Sequence, residues 1–518
     1  MLPKGLRRVS QESFDEVVQG NIDDFELEAE EAVLEAIKEF ELQGVDLKEI
    51  DKTYAGPDGR GEHPASVAAK AYAAVAEATP TAPDALRAAG AALRAQVTGE
   101  GAVAGWGPAV TGAGAIQAAV LAVTTCVAES SDGGDALVDA LDTLAAVLGC
   151  DEARDTFAGL KLCMAFTNDV WPACTELGAV GVAAAAAVVA AAATRNEPCK
   201  GAFMKARVEL PLVAVFRAHT DAAALRATCA AVRALTSGDD PREPASGAFT
   251  HSRAFANAGA APALCDALKN TPPEDDTSLV ASLAWALKNT AVNDEICKET
   301  AEEGGLHRVL ELLRGVATGH AQLAKACAAC LRQLAGSDPN KPLIADDNGL
   351  ATLVHVMRVF GERAGDKACG EADRKNYYGV QEQCVGTLVA MCLRYPEGAA
   401  RCGQEGCFEA VFDAMAAAAS HKGLQRASCM FFRNAVVRNA ENKAPILATG
   451  AEVLLRLAKR NHPDECMDVS SAAMRDLGCD NYNEGWKPTT AVMGADGVVR
   501  TPEELGDEPE MPKGGNGG

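Results

Sequence analysis

The sequence predicts an all-α protein built from stacked helical repeats, on three observations. Alanine, leucine and valine dominate the apolar residues, while aromatic residues make up only 5% of the 518 residues, which is typical of closely packed helices. The apolar residues also recur in strings with helical periodicity. Finally, turn markers return at nearly constant intervals along residues 109–482. We therefore expect an α-solenoid of about eight repeats, wound as a right-handed superhelix, with an N-terminal helical extension.

Residues 1–50 are predicted to form an acidic helical segment. Ser13 and Glu16 fit a capping box, which marks the start of one helix. The apolar stripe of a second helix consists of Val33, Leu34, Ile37 and Phe40. Residues 10–51 hold fifteen acidic residues against two lysines. We expect these helices to dock on another element or to form a small cap, and the segment is also long enough to occupy a binding groove of the same chain.

Two further segments flank the predicted repeats. Residues 51–108 combine a linker rich in glycine, proline and charge with an alanine-rich helical region, which is broken at the string "TPTAP" and near Trp106. Residues 483–518 are rich in acidic residues and glycine and lack patterned apolar content. That composition predicts a disordered tail.

Residues 109–482 repeat a turn followed by an apolar helix. The turn markers are Gly114, Gly159, Arg207, Gly259, Gly304, Gly349, Gly406 and Gly450, and their separations are 45, 48, 52, 45, 45, 57 and 44 residues. A period of about 40 to 47 residues with two or three helices is the signature of armadillo and HEAT repeats. The glycine before each second helix favours the armadillo type, because a sharp turn there lets a short first helix pack across the other two. Polar segments at 236–253 and 361–376 lengthen two intervals, and we predict that both are surface loops.

Strings at both ends of the chain resemble one family. They are "VSQESFDEVVQGNIDDF" and "QGVDLKEI" near the start, and the repeat sequence of residues 427–479. These strings are similar to the armadillo repeat-containing protein 6 family of eukaryotic intracellular proteins. The resemblance covers the N-terminal helices and most of residues 110–480. It implies a non-enzymatic interaction protein.

The third helices of an armadillo stack line its concave groove, so they supply the candidate binding residues. In the string "WALKN", Trp285 and Asn289 lie one helical turn apart on the same face. This pair resembles the groove signature of catenins and importins, in which the Asn amide binds the backbone of an extended peptide. The positions equivalent to Asn289 are Gln333, Ala390, Asn434 and Asp476, and those equivalent to Trp285 are Ala329, Gly386, Met430 and Ala472. A regular Trp ladder is missing, which argues against an importin-type receptor for basic signals.

The position just before the Asn289 column is basic in five of six third helices. Its residues are Arg233, Lys288, Arg332, Val389, Arg433 and Arg475. In an acidic chain, this row predicts a positive stripe that suits an extended acidic or phosphorylated segment. Alternatively, the basic side chains cover apolar surface at the groove edge or pair with acidic residues of the next repeat.

The sequence offers little support for catalysis or metal binding. Cys327 and Cys330 form a C-x-x-C inside a helix without a second pair of ligands, and Cys402, Cys407 and His421 surround an ordinary repeat turn. We interpret all of these cysteines as reduced core residues. Phosphate-binding loops, nucleophile elbows and zinc-protease motifs do not occur in the sequence. We therefore expect no catalytic residues, no metal and no cofactor.

Net charge and the absence of a signal sequence limit the partners. The formal charge of -24 argues against general binding to nucleic acid or to anionic membranes. The start of the chain has no apolar stretch long enough for a signal peptide, and the apolar run at 178–193 is too short to span a bilayer. We expect a monomeric cytoplasmic protein, with the nucleus as an additional location.

These observations lead to one principal hypothesis and one alternative. The principal hypothesis is a scaffold or adaptor that binds an extended, acidic segment of a protein or peptide partner in the groove. The alternative is a transport receptor or an assembly chaperone that uses the same groove.

Overall fold

The computed structural model describes residues 7–25, 27–47, 50–52, 63–78, 82–99, 102–128, 134–218, 220–484, 492–493 and 499–500. The chain divides into two compact units, Met1–Gly305 and Leu306–Gly518. Most of the predicted tail, residues 483–518, lies outside the described residues.

The N-terminal segment folds around a small core of its own. Its elements are β1 (Arg7–Arg8), α1 (Gln11–Phe25), α2 (Ala29–Leu42) and β2 (Val45–Asp46). The two short strands pair in parallel, and the two helices pack against each other. The rings of Phe14 and Phe40 stack 5.9 Å apart, with Val18, Val33 and Leu47 buried around them. This segment is therefore a folded helical hairpin, which does not fit the idea of an extended chain lying along a groove.

Sixteen helices follow in the described part of the N-terminal unit. They are α3 (Pro64–Ala76), α4 (Pro83–Val97), α5 (Trp106–Gly112), α6 (Ala115–Ala128), α7 (Asp135–Val147), α8 (Asp151–Gly159), α9 (Cys163–Ala165), α10 (Trp171–Glu176), α11 (Gly178–Ala193), α12 (Glu197–Lys205), α13 (Glu209–Ala218), α14 (Ala222–Leu235), α15 (Ala248–Asn257), α16 (Ala260–Asn270), α17 (Thr277–Thr290) and α18 (Asp294–Glu302). A π-helical turn, Phe166–Val170, joins α9 to α10.

Five helices of this unit stack side by side in chain order. Helix α4 packs on α7, α7 on α11, α11 on α14 and α14 on α17. Helix α3 also packs on α6. The alanine-rich helices before residue 109 therefore belong to the same stack as the repeats that follow them.

Helix α11 is the apolar run that the sequence analysis compared with a membrane span. Nine of its sixteen residues are buried, because its small side chains allow close packing against α7 and α14. In the part of the chain that the structure describes, no single helix is both long and apolar enough to cross a membrane. The bent pair α5–α6 passes that test by length and composition only.

The C-terminal unit contains the helices α19 (Gly305–Arg314), α20 (Ala321–Leu334), α21 (Asn340–Asp346), α22 (Gly349–Gly365), α23 (Glu371–Cys392), α24 (Pro396–Gln404), α25 (Cys407–Ala417), α26 (Lys422–Val437), α27 (Lys443–Ala448), α28 (Ala451–Asn461) and α29 (Pro463–Leu477), with 3-10 turns at Val316–Gly319 and Ala440–Asn442. Helix α20 packs on α23, α23 on α26 and α26 on α29. Two-residue strands β3 (Val492–Met493) and β4 (Val499–Arg500) pair after the last helix. No strand occurs among the described residues between 110 and 480.

The prediction of a surface loop at 361–376 is wrong. Most of this segment extends α22 and α23, and only residues 366–370 connect the two helices. The rings of Phe360 and Tyr377 contact each other across the two helices at a tilt of 41°, with centroids 5.6 Å apart. Arg374 donates hydrogen bonds to the carbonyls of Ala364 and Cys369, which secures the turn. These tertiary contacts override the polar composition that suggested a loop.

The predicted loop at 236–253 is shorter than expected, because α15 begins at Ala248. The remaining connection is held in place by charged contacts. Arg242 donates to Asp240 at 2.9 Å and to Asp155 at 2.8 Å. Asp240 also accepts the backbone N–H of Glu197. The connection is thus tied to α12 and to α8 of the same unit.

Three repeats close in the same way, by a basic residue of the first helix that reaches the end of the third. Lys200 of α12 donates to the carbonyl of Ser237, which follows α14. Lys341 of α21 donates to the carbonyl of Leu393, which caps α23. In α8, Arg154 donates to a carbonyl in the last turn of α11. A cation at a helix C-terminus satisfies carbonyls that have no partner within the helix.

Candidate protein-interaction surface

The candidate residues lie on adjacent third helices within each unit. In the N-terminal unit they form the Trp285 patch, defined as Arg233 on α14 together with Trp285, Lys288 and Asn289 on α17. In the C-terminal unit they form the Arg332 patch, defined as Arg332 and Gln333 on α20, Arg433 and Asn434 on α26, and Arg475 on α29.

Helix α17 is placed firmly by its own N-terminus. Asp276 caps the helix by accepting the backbone N–H of Leu279 at 2.9 Å. The same carboxylate receives two hydrogen bonds from the guanidinium of Arg226 on α14. A bidentate arginine–carboxylate pair is both strong and directional. It therefore fixes the register between α14 and α17 and positions Trp285 two turns further along.

Arg233 and Trp285 form a cation–π pair. The guanidinium carbon of Arg233 lies 5.8 Å from the centre of the Trp285 ring. Arg233 is exposed and Trp285 is half-buried. Exposed pairs of this kind contribute about 0.5–1 kcal/mol. The ring holds the guanidinium at the surface without neutralising its charge.

Asn289 keeps its side-chain amide available. Its backbone carbonyl accepts a hydrogen bond from the hydroxyl of Ser252 at 2.9 Å, which fixes the backbone at this point. Its amide group forms no hydrogen bond with the described part of the chain, and the residue is half-buried. The amide therefore has one donor group and one acceptor free for a ligand.

Arg332 lies across a glycine of the next third helix. A Cβ atom at Gly386 of α23 would come 2.7 Å from Cδ of Arg332, so the arginine packs where a side chain would otherwise stand. Its Nη1 donates to Oε1 of Gln383 at a long 3.4 Å. Lys325, two turns earlier on α20, lies over Gly379 in the same way. Both cations rest on neutral groups.

Asn434 uses part of its side-chain amide in a contact within the protein. Its Nδ2 donates to the carbonyl of Val389 on α23 at 3.2 Å. The amide donor therefore already joins α26 to α23. Asn434 therefore differs from Asn289, because one of its two amide N–H groups is already used within the protein.

Arg433 and Arg475 share one carboxylate. Asp476 accepts from Nε of Arg433 at 3.4 Å and from Nη2 of Arg475 at 2.8 Å. For Arg433, this is the alternative in which a basic residue pairs with an acid of the next repeat. The structure therefore separates the basic row into cations on neutral partners, Arg233 and Arg332, and cations held by an acid, Arg433 and Arg475.

The basic side chains point in a common direction, toward the next repeat. Arg226 reaches Asp276, Lys422 reaches Glu465, and Arg433 reaches Asp476. Sequence reasoning missed Lys325 and Arg226. They occupy equivalent positions on their third helices, two turns before Arg332 and Arg233. A search of every column of the third helices, and not only the one beside Asn289, would have found them.

The predicted cysteine clusters are packed in the core. Cys327, Cys330, Cys402 and Cys407 are all buried. Burial raises the pKa of the Cys327 thiol to about 12. His421 caps α26, since its Nδ1 accepts the backbone N–H of Leu424. Among the residues that the structure describes, no group of three or more His, Cys, Asp or Glu side chains could hold a metal ion.

Helices that stack in this order define the class of the protein, an all-α armadillo-type solenoid. Solved structures agree on the fold. An engineered protein is 17% identical with a TM-score of 0.59, and the match covers 90% of this chain and 94% of that one. A structure concerned with a phosphorylation switch in the interaction between cadherin and β-catenin is 14% identical with a TM-score of 0.59, covering 90% and 83%.

The sequence comparisons point to one family of armadillo-repeat proteins. The model of the armadillo repeat-containing protein 6 N-terminal domain matches residues 6–74. Armadillo repeat-containing protein 6 of Homo sapiens is 29% identical over 384 residues, which cover 68% of this chain and 70% of the relative. The protein of Pongo abelii is 28% identical over 382 residues, with the same coverage. These matches support the resemblance of the chain to the armadillo repeat-containing protein 6 family.

Proposed function

We propose that the protein is a non-enzymatic scaffold that binds an extended acidic segment of a partner protein on its third helices. An armadillo solenoid supports protein interaction, and the surface chemistry favours acidic partners. The observation that carries the proposal is that Arg233 and Arg332 are exposed and rest on neutral groups. In a chain of net charge -24, two such cations at equivalent positions are available for a negative ligand.

The Trp285 patch is the principal anchor in this proposal. Arg233 supplies charge, the exposed part of Trp285 supplies apolar contact, and the free amide of Asn289 binds the partner's backbone. An extended chain exposes its N–H and C=O groups, which one carboxamide can bind together. Binding through the backbone leaves the partner's sequence open, while the arginine selects its charge.

In the Arg332 patch, the same segment or another one would bind mainly by charge. Arg332 and Lys325 lie over glycines of α23, where the absence of a glycine side chain leaves room for them. One of the two amide N–H groups of Asn434 is already bound to the carbonyl of Val389. We therefore expect weaker binding and looser selectivity at this patch than at Trp285.

The transport-receptor alternative is less well supported. Recognition of basic signals needs repeated Trp and Asn pairs, and Trp285 is the one tryptophan on the third helices of the described chain. The cations of the surface would also repel a basic ligand. We further propose that the protein acts as a monomer in the cytoplasm, and also in the nucleus; light scattering and imaging of a tagged chain test these two points.

Charge reversal with matched controls tests the proposed function. The probe is a fluorescein-labelled peptide of alternating glutamate and serine, and binding is measured by anisotropy. Arg233→Glu and Arg332→Glu together should weaken binding about tenfold, because each reversal replaces attraction by repulsion. The effect should shrink at high salt.

Arg253 on α15 and Arg460 on α28 provide the control. Both are exposed and lie away from the third helices. Arg253→Glu and Arg460→Glu together change the net charge equally and should alter binding much less. If both double variants weaken binding to the same extent, net charge alone explains the result and the proposed surface is wrong.

A further inference from the structure

The C-terminal end of the Arg332 patch holds an acidic residue where the ligand is proposed to lie. Asp476 is on α29, at the position equivalent to Asn289 in α17 and Asn434 in α26. An amide at this position binds backbone groups, whereas a carboxylate accepts hydrogen bonds only. The chain thus replaces an amide by an acid at the last position of the column.

The carboxylate of Asp476 lies between two arginines. Oδ2 accepts from Nε of Arg433 at 3.4 Å, and Oδ1 accepts from Nε and Nη2 of Arg475 at 2.9 Å and 2.8 Å. Asp476 is 17% exposed, while the two arginines are 45% and 52% exposed. One mostly covered acid therefore orients two cations that remain open to solvent.

The two arginines hold Asp476 in the way that they would hold an acidic side chain of a partner. Two guanidinium groups on adjacent helices converge on a single carboxylate. By contrast, within the part of the chain that the structure describes, no acid pairs with Arg332 or Arg233. Arginines at equivalent positions therefore rest on neutral groups at Arg233 and Arg332, but pair with an acid of the same chain at the last repeats.

We infer that Asp476 is a built-in competitor for the acidic partner segment. Its carboxylate takes the position that a partner's carboxylate would take between Arg433 and Arg475. A partner must displace it, or draw the arginines away from it, before this end of the surface contributes to binding. The inference rests on the proposed function, since it names the residue that limits the acidic segment to the repeats before α29.

Replacing Asp476 by its isosteric amide tests the inference. Asp476→Asn removes the charge and keeps the shape of the side chain. Binding of the glutamate–serine peptide should tighten about twofold to fivefold, the range expected when one exposed ion pair is freed. The gain should fall as salt concentration rises. In the background of Arg433→Gln and Arg475→Gln, Asp476→Asn should give no gain.

Asp413 on α25 supplies the matched control. It is exposed and lies on a second helix, outside the proposed surface. Asp413→Asn makes the same change in net charge and should leave peptide binding nearly unchanged. Asp476→Ser serves as a second variant, and thermal melting checks that each variant is folded.

The outcomes separate the inference from the proposed function. If reversal of Arg233 and Arg332 weakens binding but Asp476→Asn and Asp476→Ser leave it unchanged or weaker, Asp476 is not a competitor and the proposed function stands. If Asp413→Asn tightens binding as much as Asp476→Asn, the effect is one of net charge and the inference is overturned. Indifference to the reversal of both arginines overturns the proposed function itself.

Discussion

Replacing Lys200 by methionine tests the contact that closes one repeat. Lys200 is completely buried, and its Nζ donates to the carbonyl of Ser237 at 2.5 Å and lies 3.6 Å from Glu197. It also pairs with Asp239. Methionine has a similar volume, so the packing of α12 is conserved while the charge and the donors are lost.

The expected cost follows from the groups left behind. The Ser237 carbonyl loses a charged donor, and an unsatisfied buried acceptor costs about 1–3 kcal/mol. Glu197 is only 14% exposed, but it still accepts the backbone N–H of Gly247. Asp239 is 36% exposed and regains water. We therefore expect Lys200→Met to lower the free energy of unfolding by about 2–4 kcal/mol, below the upper limit for a fully buried ion pair.

Urea denaturation followed by circular dichroism measures this loss. Lys298→Met is the control in the same unit, because Lys298 is 58% exposed and lies 3.6 Å from Glu302 in an i, i+4 pair. Such a pair contributes about 0.3–0.5 kcal/mol. If Lys200→Met and Lys298→Met shift the unfolding midpoint equally, the buried lysine does not hold the repeat together. Lys200→Arg should recover part of the loss, since it retains the charge.

Three further predictions concern stability. Ending the chain after Glu484 should leave the melting temperature unchanged. Ending the chain at the end of α29 removes carbonyls that side chains of α28 bind, so the melting temperature should fall. Differential scanning fluorimetry measures both truncated chains. Hydrogen bonds from the guanidinium of Arg242 lower the pKa of Asp240 from its ordinary value near 3.8 to about 2. Its contribution to the free energy of unfolding is therefore complete above about pH 4 and disappears as the pH falls through about 2. The stability difference between the parent and Asp240→Asn should shrink over that range in acid titrations. Gly181→Ala should destabilise the chain in urea by at least about 1 kcal/mol although alanine favours helices, because its Cβ would come 2.3 Å from the carbonyl oxygen of Cys174.

The repeat period was predictable because backbone geometry demands particular residues at the turns. Gly259, Gly304, Gly406 and Gly450 all have a positive φ, between 72° and 88°, which glycine adopts without steric cost. Arg207, the one marker that is not glycine, has a φ of 62°. A residue type tied to one conformation is visible in sequence, so its spacing reports the repeat.

Two of the turn markers, Gly159 and Gly349, are not themselves the left-handed residue of their turn. Gly159 is the last residue of α8, and the left-handed residue of that turn is Lys161, which follows after Leu160. At Gly349 the left-handed residue is the preceding Asn348, and the glycine begins α22. Lysine and asparagine carry little turn signal in sequence compared with glycine. The spacing of glycines still reports the repeat, because in both cases a glycine lies within two residues of the left-handed residue.

The pairing of surface side chains was not predictable, because it depends on where neighbouring helices place their partners. Arg332 and Arg433 occupy equivalent positions in sequence. One meets Gln383 and a glycine, while the other meets Asp476. Which partner each finds depends on a residue of the next third helix, 51 residues away for Arg332 and 43 residues away for Arg433. A periodic row of basic residues therefore predicts a surface but not its net charge.

The contrast between Asn289 and Asn434 shows how the same residue at the same repeat position acquires different roles. Asn434 donates to the carbonyl of Val389, so Asn434→Ala should cost about 0.5–1.5 kcal/mol of stability, the usual range for one hydrogen bond. Asn289 has no such contact in the described chain, so Asn289→Ala should leave stability nearly unchanged and weaken peptide binding. Measuring urea midpoints and anisotropy on both variants separates the two roles. Equal effects on stability would show that Asn289 is a structural residue, and the Trp285 patch would lose its backbone-binding group.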